Sequence, residues 1–438
     1  MSTEIIGLIV FGVMLAMIMI GVHVPIAVLS CACVGLYFVG GAKIVATQFS
    51  SGFFNYSTSY NFAVLPLFLI VGVLAGITGM AKGTFDSARK WLGKRKGGLL
   101  YVVIGANAIF GACSGISTAG TVVFSQIAAP EMISQGYDDK LTYGCIASSG
   151  SLSVLIPPSV GILMVCLLTD NSIGTGLMCG LGTGIVMIAI LFLLVFAIVR
   201  IKPSKIPAVS EADKNVTWKE RFVTLKLLLP IVVLFAIIVG GSFFGWFPAT
   251  VGGAIAAVAM LIYSICKKIP LKKIYECVWD GAQIFAGIFP VIVGGQMFGR
   301  LIGISGLTRS IVNLISNSGI SPYLVFILVL IFYAICGCMM DCMSIIMITA
   351  PMVFSMLTGL GFNGFVIVVM LVLLAELGGI TPPVGLSVFT VATTLKIEPS
   401  KVFRGALPFL LAYVALLLLG LFIPDIFLWL PRLLGMAV

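Results

Sequence analysis

The segment GGITPPVGLS, residues 378–387, interrupts an apolar run that extends over residues 365–395. Proline removes a backbone donor and clashes with the preceding turn, so two adjacent prolines stop a helix. Non-helical backbone at membrane depth is tolerated only inside protein or beside a water-filled cavity. We therefore expect a broken membrane helix here, and we expect the break to serve a function.

The composition is that of a membrane protein. Of the 438 residues, 60% are hydrophobic and 9% are charged, whereas a soluble domain carries about 25% charged residues. Apolar runs near the length that crosses a hydrocarbon core of about 30 Å recur along the chain. The sequence predicts an all-α polytopic membrane protein.

The formal charge of +10 is segregated in a few loops. This distribution follows the positive-inside rule and does not indicate a nucleic-acid partner. Residues 1–5 hold one glutamate and no basic residue, so no signal peptide is expected and the N-terminus is predicted to be periplasmic. The count of spans then places every basic cluster in the cytoplasm. The clusters are residues 82–96, 200–226, 267–273 and 396–404.

The two halves of the chain repeat each other. LIPPSVGI (155–162) aligns with GITPPVGL (379–386), so that Gly161 matches Gly385. Other pairs recur at nearly the same separation along the chain, and their agreement indicates an internal repeat. These pairs are Pro25 with Pro248, Pro66 with Pro290, Pro130 with Pro351, and residues 77–80 with 304–307.

Each half is predicted to hold five transmembrane helices and one re-entrant hairpin. Because five is odd and one cytoplasmic linker joins the halves, the second half enters the membrane in the opposite sense. Inverted-topology repeats of this kind are typical of secondary transporters. The predicted units are a first repeat (1–200, hairpin 99–135, broken helix 140–169), a linker (201–226) and a second repeat (227–438, hairpin 322–357, broken helix 364–396).

The two breaks, residues 149–161 and 376–385, are expected to meet near the bilayer midplane. Their freed carbonyls suit Na⁺, and the half-helix N-termini suit an anion. The hairpin tips FGACSGISTAG (110–120) and CGCMMDCMS (336–344) lie beside them. The second tip places Asp341 at membrane depth, where a buried carboxylate is costly and marks a functional site.

At these residues the chain resembles the large membrane subunit (DctM/SiaM type) of tripartite ATP-independent periplasmic (TRAP) transporters. The resemblance rests on SGISTAGTVVFSQIAAPEM (114–132), IPPSVG (156–161), MMDCMSIIMITAPM (339–352) and GGITPPVG (378–385). It implies Na⁺-coupled uptake of an organic acid across the bacterial inner membrane, with elevator-type scaffold and transport domains. The implied partners are a periplasmic substrate-binding protein and a small four-helix membrane subunit of the DctQ/SiaQ type.

The resemblance also implies site residues. Two Na⁺ sites are expected, one at Ser114, Ser117, Gly150, Leu155 and Pro157, the other at Gly337, Asp341, Gly379, Thr381 and Val384. The expected substrate contacts are Arg300, Ser151, Thr118 and Pro382. No transition metal is expected, and the clustered cysteines Cys336, Cys338 and Cys342 are interpreted as packing residues.

The sequence departs from the family at two places. The first hairpin of the family often ends in Ala-Asp, whereas this chain has Ala119-Gly120, so a carboxylate is missing there. The basic residue of the family lies about one turn later than Arg300, near Ile304.

Other interpretations stay open. Each break is also compatible with a plain kink, Asp341 with a structural partner of Arg300, Arg300 with an interfacial anchor, and the serines with backbone hydrogen bonding. A membrane-embedded enzyme is disfavoured because one histidine and few intramembrane carboxylates offer no catalytic set. A passive channel does not need paired broken helices. The nearest rival is a Na⁺/divalent anion symporter that works without a binding protein.

Overall fold

A computed structural model describes residues 2–338, 340–383 and 385–438, with the backbone alone at residues 56, 61, 212, 249 and 316. These residues form helices and connections and include no strand. Among them, six helices are long and apolar enough to cross a membrane, and a pair bent by 66° makes a seventh candidate. The all-helical, multi-pass membrane class predicted from the sequence is therefore confirmed.

The described residues of the first half form nine α-helices, and the last of these helices leads into the polar linker. The helices are α1 (Thr3–Met19), α2 (Val24–Thr58), α3 (Val64–Ile77), α4 (Met80–Leu92), α5 (Gly98–Ser114), α6 (Ser117–Ser134), α7 (Asp139–Gly150), α8 (Val160–Leu168) and α9 (Ile173–Ile201). α5 and α6 form the first hairpin. α7 and α8 are the two parts of the first broken helix, and a 3₁₀ turn over Ser151–Val154 follows α7.

The linker and the second half supply the remaining helices. They are α10 (Glu211–Lys214), α11 (Trp218–Thr224), α12 (Leu229–Phe235), α13 (Gly241–Phe243), α14 (Ala249–Cys266), α15 (Leu271–Ser305), α16 (Leu307–Ser318), α17 (Pro322–Gly337), α18 (Cys342–Gly359), α19 (Gly364–Ile380), α20 (Leu386–Leu395), α21 (Pro399–Phe422) and α22 (Asp425–Leu433). α17 and α18 form the second hairpin. α19 and α20 are the two parts of the second broken helix.

The order of helices repeats between the halves at the spacing seen in the sequence. α6 and α18 have the same length, 18 residues each, and begin at Ser117 and Cys342. α8 and α20 begin at Val160 and Leu386, which are separated by almost the same stretch of chain. The opposite orientation of the two copies stays a prediction.

Two sets of helices pack closely within themselves. α2 packs on α15 and α3 packs on α14 and α15, whereas α7, α19 and α20 pack on α21. The sets also meet, because α15 packs on α18 and α3 packs on α5. Each hairpin also reaches across the repeat boundary, because α6 contacts α20 and α18 contacts α8. These crossed contacts place both hairpins and both breaks at one site.

Polar side chains set the starts of several helices around that site. Asp138 accepts from the Leu141 N–H at 2.9 Å before α7, and the Ser159 hydroxyl accepts from the Ile162 N–H at 3.1 Å before α8. Asn363 accepts similarly before α19. Such caps accept hydrogen bonds from the first backbone N–H groups of a helix, which have no carbonyl partner within it. The capping side chain therefore fixes the residue at which each helix begins.

The linker docks onto the base of the first hairpin through Arg89 of α4. The Arg89 guanidinium donates to Asp213 of α10 at 2.8 Å and to Glu131 of α6 at 2.8 Å. The Asp213 side chain is only 6% exposed. Lys205 and Asp138 add a second ion pair at 3.3 Å. The linker is therefore tied to the helices that position the hairpin.

Candidate functional site

The tip of the first hairpin presses against the first break. Gly115, between Ser114 of α5 and Ser117 of α6, has a φ of 61°. A Cβ at Gly115 would lie 2.0 Å from the carbonyl oxygen of Pro158. Both the positive φ and the close approach require glycine at this position. The hairpin tip is thus held directly on the break.

The first predicted Na⁺ set includes one pair in direct contact. A Cβ at Gly150 would lie 3.1 Å from the Ser117 carbonyl oxygen, so these two residues touch. The Ser114 carbonyl lies close to Gly72 of α3, and the Leu155 carbonyl lies close to Gly180 of α9. Pro157, the fifth residue of the set, lies between the 3₁₀ turn and α8, and its peptide bond to Pro158 is cis.

The second predicted Na⁺ set surrounds the second break. The carbonyl oxygens of Gly379 and Thr381 converge on Gly385, where a Cβ would lie 2.7 Å and 3.0 Å from them. Gly337 lies against Gly378, because a Cβ added at Gly378 would lie 2.4 Å from the Cα atom of Gly337. The fifth predicted ligand, Val384, lies outside the described residues. Two of the expected carbonyl ligands are therefore close together.

The expectation that Asp341 is a buried carboxylate is wrong. Its side chain is exposed, and it caps the start of α18. Oδ2 accepts from the Ser344 N–H at 3.0 Å, and Oδ1 accepts from the Ser344 hydroxyl at 2.5 Å. The physical reason is local: a residue immediately before a helix takes the cap position and turns its carboxylate toward the first turn.

A cavity of about 100 Å³ lies where the hairpin tips meet the second break. Its lining residues come from both halves of the chain and include no lysine, arginine or histidine. They are Ile116, Ser117, Thr118, Val154, Met340, Asp341, Cys342, Met343, Ala375, Glu376, Gly379, Leu386 and Ser387. The structure thus brings four of the predicted site residues to one space, namely Ser117, Thr118, Asp341 and Gly379.

Glu376 is the site residue that the sequence reasoning missed. It lies on the last turns of α19, is 2% exposed, and faces the side chains of Ser117, Ser151 and Cys342. No hydrogen bond of ordinary geometry reaches its Oε1 atom. A signal was present in the sequence, because Glu376 is the single carboxylate in the apolar run 365–395, and an ionisable residue within a membrane segment marks function.

Several buried oxygens near the first break also lack hydrogen-bond partners within the described chain. An unsatisfied buried polar group costs about 1–3 kcal/mol, so a cluster of them indicates a bound ion or water. Hydroxyl, amide and carboxylate oxygens suit a hard cation. The atoms are Asn107 Oδ1, Ser114 Oγ, Ser148 Oγ, Ser153 Oγ and Glu376 Oε1.

The predicted substrate contacts lie in different surroundings. Thr118 lines the cavity, Ser151 is buried behind it, and the Pro382 carbonyl lies 3.1 Å from the Cys338 sulfur. Arg300 is exposed on α15 and does not line the cavity. Among the ion pairs of the described residues, none joins Arg300 to Asp341. The structural pairing of these two residues is therefore not formed.

The chain matches the protein family described as "Tripartite ATP-independent periplasmic transporter, DctM component" over residues 11–426. It is 28% identical to the C4-dicarboxylate TRAP transporter large permease protein DctM of Pseudomonas aeruginosa, over 88% of this chain and 89% of that protein. It is 27% identical to the 2,3-diketo-L-gulonate TRAP transporter large permease protein YiaN of Escherichia coli, over 96% of this chain and 97% of that protein. It is 25% identical to the sialic acid TRAP transporter permease protein SiaT of Haemophilus influenzae, over 86% of this chain and 60% of that protein.

Two solved structures share the fold. The YdaH transporter of Alcanivorax borkumensis superposes with a TM-score of 0.55 over 87% of this chain and 89% of that one. MtrF of Neisseria gonorrhoeae superposes with a TM-score of 0.56 over 94% and 95%. Both are 13% identical in sequence. At this identity the likeness concerns the fold alone.

Proposed function

The chain belongs to the DctM component family of tripartite ATP-independent periplasmic transporters, and we propose that it carries an organic acid across the bacterial inner membrane together with Na⁺. The observation that supports Na⁺ coupling is the charge of the cavity between the hairpin tips and the second break. It holds two carboxylates, Asp341 and Glu376, and no basic side chain. A cation would balance these charges.

The proposed substrate is an organic anion such as a carboxylate, a sialic acid or a sulfonate. The relatives are named for C4-dicarboxylates, 2,3-diketo-L-gulonate and sialic acid, which are all organic acids. The cavity of about 100 Å³ is far smaller than the 300–1,000 Å³ or so of typical ligand pockets. The substrate would therefore bind after the hairpin tips separate from the neighbouring helices, with Thr118, Ser151, Pro382 and Arg300 as its proposed contacts.

The proposed mechanism is an elevator. A periplasmic binding protein would deliver the anion, a small four-helix membrane subunit would assist, and the hairpins and broken helices would slide past a fixed scaffold. The packing of α2 on α15, and of α7, α19 and α20 on α21, supports this division. The N-terminus would be periplasmic and the linker cytoplasmic. The matches described above are transporter permeases, and we propose a transport function without catalysis.

The Na⁺ ligands are tested by uptake into proteoliposomes that contain the permease and its small subunit, with the binding protein outside. Ser114→Ala and Asp341→Ala are each expected to lower Na⁺-driven uptake about tenfold, which corresponds to about 1.4 kcal/mol. Ser355→Ala is the matched control, because Ser355 is exposed on α18 and bonds only its own helix. Unchanged uptake and unchanged Na⁺ dependence in both variants would refute the ligand assignment.

The same preparation separates the two transporter classes. Uptake that requires the binding protein supports the tripartite mechanism. Uptake of free anion, at full rate without the binding protein, would favour the binding-protein-independent Na⁺/divalent anion symporter instead.

A further inference from the structure

We propose that Glu376 is a direct ligand of the transported Na⁺ and forms, with Ser117 and Ser151, a cation site that joins the two halves of the chain. This inference rests on the proposed Na⁺ coupling. It adds the residue that supplies negative charge where the first hairpin of this chain, with Ala119-Gly120, has none.

The first argument is the unsatisfied state of the carboxylate. Glu376 is 2% exposed, and its Oε1 atom accepts no hydrogen bond from the described residues. Ser151, which faces the same carboxylate, is buried. Buried polar atoms are rarely left unpaired, so an unpaired carboxylate oxygen indicates a missing ligand.

The second argument is the size of the adjoining cavity. Its volume is about 100 Å³, which is room for about three water molecules at about 30 Å³ each. A small cation with one or two waters fits this space, which is far smaller than the 300–1,000 Å³ or so of typical organic-ligand pockets. The oxygen ligands that face Glu376 are hydroxyls, which a hard cation accepts.

The third argument is charge. The lining residues of the cavity include Asp341 and Glu376 and no lysine, arginine or histidine. An anion would be repelled from this space, whereas a cation would be attracted. A carboxylate in a low-dielectric interior requires a nearby positive charge to stay ionised.

The two carboxylates of the cavity differ in how readily they can bind an ion. Both oxygens of Asp341 accept hydrogen bonds from Ser344 at the start of α18. Glu376 Oε1 accepts none. Ion binding at Asp341 would have to compete with an existing cap, whereas binding at Glu376 would satisfy an unpaired oxygen.

The site would also link the two repeats. Ser117 belongs to the first hairpin and Ser151 to the first break, whereas Glu376 precedes the second break. A cation held by all three would tie the first hairpin to α19. Binding of Na⁺ would then favour the closed arrangement of the hairpin tip.

The test measures Na⁺ binding without transport. The full-length permease is purified in detergent, and its melting temperature is recorded against NaCl at constant ionic strength, with choline chloride as the replacement salt. A ligand that binds the folded state raises the melting temperature with concentration. For Glu376→Gln we expect the Na⁺ concentration that gives a fixed rise in melting temperature to increase at least about tenfold, since the variant keeps the shape and removes the charge. Glu398→Gln is the control, because Glu398 is exposed before α21.

An unchanged dependence of the melting temperature on Na⁺ in Glu376→Gln, with a normal Na⁺ effect in the native protein, would overturn this inference and leave the proposed function standing. No Na⁺ effect in the native protein would overturn both.

A second measurement needs no variant and applies even when Glu376→Gln does not fold. Cys342 faces Glu376, whereas Cys266 is exposed on α14. Na⁺ is expected to slow maleimide alkylation of Cys342, measured by mass spectrometry of its peptide, and to leave Cys266 unchanged. Equal alkylation of Cys342 in NaCl and in choline chloride would overturn the inference.

Discussion

Replacing Gly378 by leucine is expected to reduce uptake to background and to lower the melting temperature strongly. A Cβ at Gly378 would lie 2.4 Å, 2.7 Å and 3.1 Å from the Cα, C and O atoms of Gly337. All three are backbone atoms, so no side chain can rotate away. Overpacking that side chains relieve costs about 1–3 kcal/mol, and here α17 and α19 must separate instead, so we expect a loss of at least about 3 kcal/mol.

Gly303→Leu is the matched control for this prediction. Gly303 lies in α15, is exposed, and has no atom within 4 Å of an ideal Cβ. The melting temperature in detergent and the uptake in proteoliposomes are compared for both variants. If Gly378→Leu melted and transported like Gly303→Leu, the close contact between the second hairpin and the second broken helix would be disproved.

Replacing Arg89 by alanine is expected to lower the free energy of unfolding by about 2–3 kcal/mol, because it leaves a buried charged group without its partner. Arg89 bonds Asp213 with two nitrogens, at 2.8 Å and 3.3 Å, and Glu131 with a third at 2.8 Å. The Asp213 side chain is 6% exposed, so water does not replace the lost donors. Thermal unfolding in detergent measures the effect.

Lys90→Ala serves as the control beside it. Lys90 pairs with Glu220 at 3.5 Å, and both side chains are more than a third exposed. Exposed pairs contribute about 0–1 kcal/mol, so this change is expected to have little effect. The double variant Arg89→Ala/Asp213→Asn is expected to recover part of the loss, since it removes the unpaired carboxylate. A loss no larger than that of Lys90→Ala would contradict the proposed docking of the linker.

The class of the protein and the family resemblance were predictable from the sequence, and both are confirmed. Hydrophobic composition and the length of apolar runs report directly on membrane crossing. The prolines at 157–158 and 382–383 occur where helices stop in the structure, since α7 and its following 3₁₀ turn end by Val154 and α19 ends at Ile380. A helix break is a local property, because proline acts on its own turn.

The candidate site was less predictable, and the two carboxylates show why. The sequence predicted that Asp341 is a buried carboxylate. In the structure Asp341 caps the start of α18, and its side chain is exposed. Glu376 was passed over within an apolar run, but packing encloses it beside Ser117 and Ser151 from the other half of the chain. We propose that Glu376 supplies, from a distant position, the carboxylate that is missing at Ala119-Gly120.

The membrane class, the positions of the helix breaks and the repeated order of elements can be predicted from the amino-acid sequence. These features follow from hydrophobicity and backbone chemistry, which act over a few neighbouring residues. Which oxygens meet depends instead on how the chain folds. Glu376 faces Ser117 and Ser151 because helices that are far apart in the chain pack together. Gly378 approaches Gly337 because α19 packs against α17. Such contacts depend on how all the helices fill space together, which no short stretch of residues encodes.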